Sequence, residues 1–500
     1  MCGKCCARAR GGVDRRGRFD ASQVGRIIIT DGWELRKVCP QEVGVLVDSL
    51  SLRHFPPPPT SVTVTELGLA FINELALKII FARGNSLARD IADAMKLPLV
   101  DVVNKSLEYL RRERLIQVQG ATGAGEATYV YALTAEGQIR AREMMERNQY
   151  VGPAPVSLTA YAAMVERQSL SGIALTLDAV KRALAHLVLN DALIEKIGVA
   201  INSARSIFLF GNSGDGKTSI GTAIGTMLPG AIWIPYAIIV EGQIIKVFDP
   251  GRHRVIAKKT ESESAPPKGL LHLLTREKID GVEGAGIGEN QRYDERWVLA
   301  QRPLIVGAGE MTLKGLDLVY DSKTKYYEAS QQMKANGGVF LLDDLGRQPV
   351  APRAILNRWI VPLEKKVDYL TLATGFKFEV PFDLLVIFAT NLNPVDLVDE
   401  AFLRRVRHKI HVQDPTWEEY KEILKREASK RNILYSDEGA QYLISEYYLK
   451  PKRQPRGVHP RDALDALVEI AHFQGVPPTL SKPLIDLAGQ AYFMAEHRES

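Results

Sequence analysis

Residues 206–224 constrain this chain more than any other stretch. A compact apolar strand, Ile207-Phe208-Leu209-Phe210, runs into Gly211-Asn212-Ser213-Gly214-Asp215-Gly216-Lys217-Thr218, and helical apolar spacing at Ile220, Ala223 and Ile224 follows. Strand, glycine-rich loop and helix in that order match the phosphate-binding P-loop pattern. Glycines let backbone N–H groups turn inward around an anion without Cβ clashes. The loop feeds a helix N-terminus, whose free donors and positive dipole end favour that anion. Lys217 supplies a mobile cation for β- and γ-phosphates, and the Thr218 hydroxyl is suited to Mg²⁺. Residues 211–218 with Ser219 form the expected ATP-binding set.

Two further strands end in polar groups. Val339-Phe340-Leu341-Leu342 runs into Asp343-Asp344, the pattern of a Walker B strand. Asp343 would hold Mg²⁺ through water, and Asp344 would polarise an attacking water. Leu384 to Ala389 ends in Thr390-Asn391, whose amide can orient that water near a γ-phosphate.

The order and spacing of these pieces resemble the AAA+ ATPase family across about residues 170–495. The implied fold is α/β: a P-loop NTPase core whose parallel sheet is flanked by helices, then an all-α lid. By the resemblance, Asn391 is sensor 1, and Asp399 to Val406 is the helix end that carries the arginine finger. Arg405 is the first choice of finger and Arg404 the second. Gly457-Val458-His459-Pro460-Arg461-Asp462 resembles the start of the sensor-2 helix, making Arg461 the second arginine. Residues 369–381 read as a hairpin before the sensor-1 strand, similar to the branch that includes MoxR-type ATPases. The resemblance implies a homo-oligomeric ring, most often a hexamer, that remodels a macromolecular client.

The chain departs from the family's pattern twice. Asp344 stands where the family usually has Glu, one methylene longer, which predicts slow turnover. Roughly 120 residues separate Gly221 from Gly338, and a loop that long is functional or merely decorative. It contains an expected hairpin at 238–247, a polar stretch at 258–268 and a glycine-rich loop at 281–288.

Upstream, helical spacing begins near Thr65 with Leu67, Phe71, Leu75 and Ile79. A second helix is expected after Ser86 as N-cap, and a third carries Val103, Leu107 and Leu110. Period-two segments at 116–119 and 128–131 flank a glycine-rich loop, and Leu133-Thr134-Ala135-Glu136-Gly137 opens a helix to about Arg147. Three helices, a two-stranded wing and a closing helix resemble a winged helix-turn-helix domain over roughly 62–148. Such domains bind DNA or dock proteins. Arg111-Arg112-x-Arg114 favours DNA, and the interspersed Glu108 and Glu113 weaken it.

A chain of 500 residues, at about 100–200 per domain, has room for this division. The expected units are 1–60, a disordered tail; 61–150, the winged domain; 151–200, a connector; 201–412, the ATPase core; and 413–500, the helical lid. Pro56 to Pro59 form a stiff spacer at the first boundary. The net charge of +5 is too small to argue for nucleic acid by itself. The longest apolar candidate for a membrane span, Ala231 to Val240, is broken by Pro235, so no membrane insertion is expected. All four cysteines, Cys2, Cys5, Cys6 and Cys39, lie near the start. A cysteine-free core fits a reducing compartment, and the cytoplasm is the expected location. Cys2-x-x-Cys5 has no second Cys/His pair at finger spacing, so a basic tail or an upstream start codon read as coding is favoured over zinc.

Overall fold

A computed structural model describes residues 55–256, 293–397 and 400–496. The four cysteines, the expected tail up to residue 54, the 258–268 and 281–288 stretches and Asp399 lie outside the described residues.

The first unit contains helices Leu69–Arg83, Ala88–Met95 and Asn104–Arg112, with strands β1 (Ser86–Leu87), β2 (Ile116–Ala121) and β3 (Tyr129–Leu133). Helix Ala135–Arg147 closes it, and the Thr134 side chain caps this helix by accepting from Gly137 N at 3.0 Å. The strands pair antiparallel in the order β1-β3-β2. Ser86 is therefore not an N-cap. It sits in the edge strand opposite Tyr131, and the helix after it begins at Ala88. Pairing with β3 overrides the local capping preference.

The stretch after it carries regular elements. A two-residue strand, β4 (Val156–Ser157), is followed by helices Leu158–Arg167, Leu177–Leu184 and Asp191–Asn202. Tyr161, Met164, Val180, Leu184 and Ile197 are buried in the two cores that adjoin this segment. The polyproline run is also seated: Pro56 O accepts from Asp294 N at 2.8 Å, and Phe55 lies against Trp233.

Strand β5 (Ile207–Phe210) precedes helix Lys217–Met227. Then come β6 (Ala231–Pro235), β7 (Ala237–Val240), β8 (Gln243–Lys246), β9 (Trp297–Gln301), β10 (Leu304–Gly307), β11 (Val319–Asp321), β12 (Tyr326–Glu328) and β13 (Val339–Leu342). Helices Pro352–Arg358 and Ile360–Lys365 lead to the hairpin β14 (Val367–Thr371) and β15 (Lys377–Pro381). β16 (Leu385–Thr390), helix Glu400–Arg405 and β17 (His408–His411) complete the central part.

The main sheet has the order β10-β13-β16-β5-β17, and every neighbouring pair is parallel. Its three inner strands, β13, β16 and β5, are buried on both faces, which explains their apolar runs. Ile207, Leu209, Val339, Leu341, Leu385 and Ile387 face helix Lys217–Met227 and the helices before β5. The alternate residues, Phe208, Phe340, Leu342, Val386 and Phe388, pack with Trp359 and Phe402 on the other side. The chain thus has an α/β fold in which helices flank a parallel sheet. A helical C-terminal region follows, with helices Trp417–Lys430, Asp437–Ile444, His459–Gln474 and Lys482–Glu496 around their own apolar core.

The long segment between Gly221 and Gly338 contributes four strands to a second sheet, β11-β12-β8-β7-β4, and β4 joins it from before β5. The expected hairpin is β7-β8. This sheet docks the first unit: Ala237 and Ile244 belong to that unit's core, Tyr150 meets Tyr326 edge-on, and Gln149 N donates to Thr324 O at 2.8 Å. A buried pair, Arg296 and Asp294, ties the junction, with Arg296 donating to Thr65 O and Pro155 O.

Candidate functional site

The parallel order leaves β5, β16 and β13 ending at one edge, with β16 between the other two. The glycine-rich loop leaves β5 at that edge and enters helix Lys217–Met227. Gly214 has φ 89°, and a Cβ there would lie 2.5 Å from Val458 Cγ1, so both backbone shape and contact require glycine. Across β16, the Thr218 hydroxyl donates to both oxygens of Asp343, at 3.1 and 2.9 Å. A hydroxyl and a carboxylate in contact make an all-oxygen donor pair, the chemistry Mg²⁺ takes. Asp343 is fixed by its own backbone: its N–H donates to Gly307 O at 2.9 Å, and its carbonyl accepts from Gln348 Nε2 at 3.0 Å.

Asp344 turns the chain sharply, with φ 50°, a left-handed conformation that Asp tolerates better than most residues. Asn391, one residue beyond β16, donates from Nδ2 to Asp344 Oδ1 at 3.4 Å. The two polar strand ends read from the sequence therefore meet.

Lys217 is buried at 7% exposure and folds back onto its loop, donating to Gly211 O at 3.1 Å and Asn212 O at 2.5 Å. Burial lowers its affinity for a proton, opposed by Asp215, Asp344 and Asp343. A phosphate would replace the two carbonyls as its partner.

Arg404 and Arg405 lie elsewhere. Ser206 Oγ, just before β5, donates to Arg405 O at 3.4 Å, which puts these arginines at the sheet's opposite edge. Along the four residues of β5 that separation is about 13 Å. There Arg404 pairs with Glu400 at 2.7 Å and Arg405 with Glu364 at 3.2 Å. Together with Arg205 and Arg407 they line an arginine-rich cleft.

Arg461 is exposed and pairs with Asp462 at 2.9 Å. The C-terminal arginine that reaches the loop is Arg456, donating to Ser213 O at 3.3 Å. Asp414 also reaches it, accepting from Asn212 Nδ2 at 2.9 Å. Neither was singled out from sequence, because both contacts span about 200 residues or more. An acid inside the glycine-rich loop, Asp215, was the one signal visible in the sequence that could have pointed to them.

Residues 416–491 match a family model described as a domain of unknown function (DUF8689). No curated protein matches the sequence. Similar solved structures include NtrX from Brucella abortus in complex with ATP, at 14% identity and TM-score 0.35, covering 61% of this chain and 56% of that one. Another is the RuvB Holliday junction branch migration motor of Thermotoga maritima, at 13% identity and TM-score 0.32, covering 61% of this chain and 69% of that one. The chain thus spans a little over half the length of NtrX. The fold class rests on the strand order and not on these likenesses. Among the described residues, no helix is long and apolar enough to cross a membrane.

Proposed function

We propose that this chain binds and hydrolyses ATP as an AAA+-type enzyme, and that turnover in an oligomeric ring remodels a macromolecular client. The observation that carries the reading is the Thr218–Asp343 contact across β16, with Asn391 on Asp344 beside it. Phosphate binding, metal holding and water activation then share one edge of one sheet.

The loop amides and Lys217 would bind the triphosphate, while Thr218 and Asp343 would hold a Mg²⁺. Bound there, it would supply positive charge against the phosphates. Asp344 accepts the proton of the attacking water as its oxygen bonds to the γ-phosphorus and the bond to the β-phosphate oxygen breaks. Asn391 keeps that carboxylate oriented. Products are ADP and inorganic phosphate. Lys217→Ala is expected to abolish hydrolysis and weaken nucleotide binding, measured by phosphate release and calorimetry. Normal turnover in that variant would remove the assignment.

The arginine cleft supports action in trans, because Arg405 and the loop of one subunit occupy opposite sheet edges. Arg461 is carried as the sensor-2 arginine by resemblance, with Arg456 as the residue already touching the loop. The first unit is read as a winged-helix module. Between residues 62 and 148 it carries eleven basic and eleven acidic residues, which favours a protein client over DNA. The second reading, a nucleotide-switched DNA-binding regulator, draws on exposed Lys105, Arg111 and Arg112 of helix Asn104–Arg112. Duplex DNA binding by the full chain across a salt series separates the two. A steep slope that Arg111→Ala and Arg112→Ala flatten would favour the regulator, and no binding at low salt favours remodelling.

A further inference from the structure

Asp215 sits two residues before Lys217, where a polyphosphate would add negative charge. It is 8% exposed, and neither carboxylate oxygen makes a well-formed hydrogen bond among the described residues, the Gly457 amide being a nearby but poorly placed donor. Its neighbour is the Asp414 carboxylate, on the segment leading from β17 into the C-terminal helices. Asp414 is itself anchored to the loop through Asn212. On the other side, Gly457 lies against the backbone of Gly214 and Asp215, and Arg456 holds Ser213 O. The two acids therefore meet where the phosphate loop, the exit of β17 and the entry to helix His459–Gln474 converge. A buried carboxylate against a second, half-buried one resists charging, and one shared proton supplies a hydrogen bond that Asp215 otherwise lacks.

We propose that Asp215 and Asp414 share a proton, that this pair latches the C-terminal helices onto the phosphate loop, and that binding a nucleoside polyphosphate takes up a proton there. The inference rests on the nucleotide reading of this loop. Burial first, then Asp414, push Asp215 up to about 7, while the Gly457 amide and Lys217 pull the other way. Lys217 is the cation facing the pair, and it in turn feels Asp343, Asp344 and Arg456. Below about 7 the pair is singly charged and the latch is closed. Above it a second negative charge appears, repels Asp414 and opposes the incoming phosphates. Bound phosphate raises the proton affinity of Asp215 further, so nucleotide affinity falls as pH rises past 7. The same sign holds for folding: a raised acid stabilises fully below its unfolded value, and this contribution is lost as pH rises through about 7.

The test is calorimetric titration of the full chain with MgADP from pH 6 to 8.5, in buffers of different ionisation heat. Wild type is expected to take up a proton on binding and to lose affinity by up to about tenfold per pH unit above 7, relative to Asp215→Asn. Asp215→Asn removes that excess slope and the uptake it reports. Identical slopes in the two proteins would overturn the latch, as would dependence on K⁺ or Mg²⁺ in place of pH in the nucleotide-free chain. Should Asp215→Asn misfold, carbon NMR of aspartate-labelled wild type decides: a carboxyl titrating near 7 is expected, and none above about 5 overturns it. Failure of wild type to bind MgADP at every pH would sink the nucleotide reading itself, and the carboxyl titration of the free chain still decides the shared proton.

Discussion

The two ends of β5 carry opposite chemistry. At its carboxyl end lie the loop, Thr218, Asp343, Asp344 and Asn391, with Lys217 as the buried cation of the loop. At its amino end Arg205, Arg404, Arg405 and Arg407 line one cleft with Glu364. The first end has acids and amides suited to a metal and a water, and little positive charge for a γ-phosphate in transit. The second has that charge and no loop to hold a nucleotide. About a strand's length keeps them apart within one chain. A second copy, its arginine edge against the first copy's loop edge, would join them, which is why this pairing supports the oligomer reading.

The sharpest way to break the comparison is to damage one end per subunit. Arg405→Ala alone and Lys217→Ala alone are each expected to lose about 10³-fold or more in turnover, the scale of an arginine supplied in trans. Mixed oligomers should regain part of it, because some interfaces pair an intact loop with an intact arginine edge. Steady-state phosphate release on mixtures, with mixing verified by mass spectrometry, measures this. Mixed oligomers without rescue would leave the arginine cleft unconnected to catalysis.

Among the described residues, the loop end is also more tightly packed than the glycine-rich loop of the wing, which yields a smaller effect. Gly214→Ala meets Val458 in a left-handed backbone, whereas a Cβ on Gly120 in the wing meets nothing. The first substitution is expected to cost about 1–3 kcal/mol and the second about 0.5 or less. Thermal unfolding of the two variants compares them directly. Equal shifts would mean that the C-terminal helices do not press on the loop.

The same contrast shows what the sequence could reveal. The site end was legible because each of its strands is a short apolar run that stops at a polar residue: Phe210 before the loop, Leu342 before Asp343, Thr390 before Asn391. That grammar is local. Of the second sheet only the β7-β8 hairpin was legible, since β4 is two residues long and its partner β7 lies some eighty residues away. Ser86 misled for the reverse reason: its local signal was sound, and a distant strand outweighed it. Arg456 and Asp414 carry no local signal at all. Their roles exist only because the fold brings residues near 414 and 456 onto a loop near 213.

The smallest expected effect tests the loop end from within. Asp344→Glu lengthens the carboxylate by one methylene, toward the attacking water. Glu is less at ease than Asp at φ 50°, a penalty of about 1 kcal/mol at most against a position that Leu345 N, donating to Ala389 O at 2.9 Å, already pins. The 3.4 Å contact from Asn391 is long enough to readjust to a longer partner. Turnover should therefore hold or rise, staying within about tenfold, the change that 1.4 kcal/mol in the barrier would bring. A larger fall with nucleotide affinity intact would mean that Asp344 sets the backbone turn and some other group receives the proton.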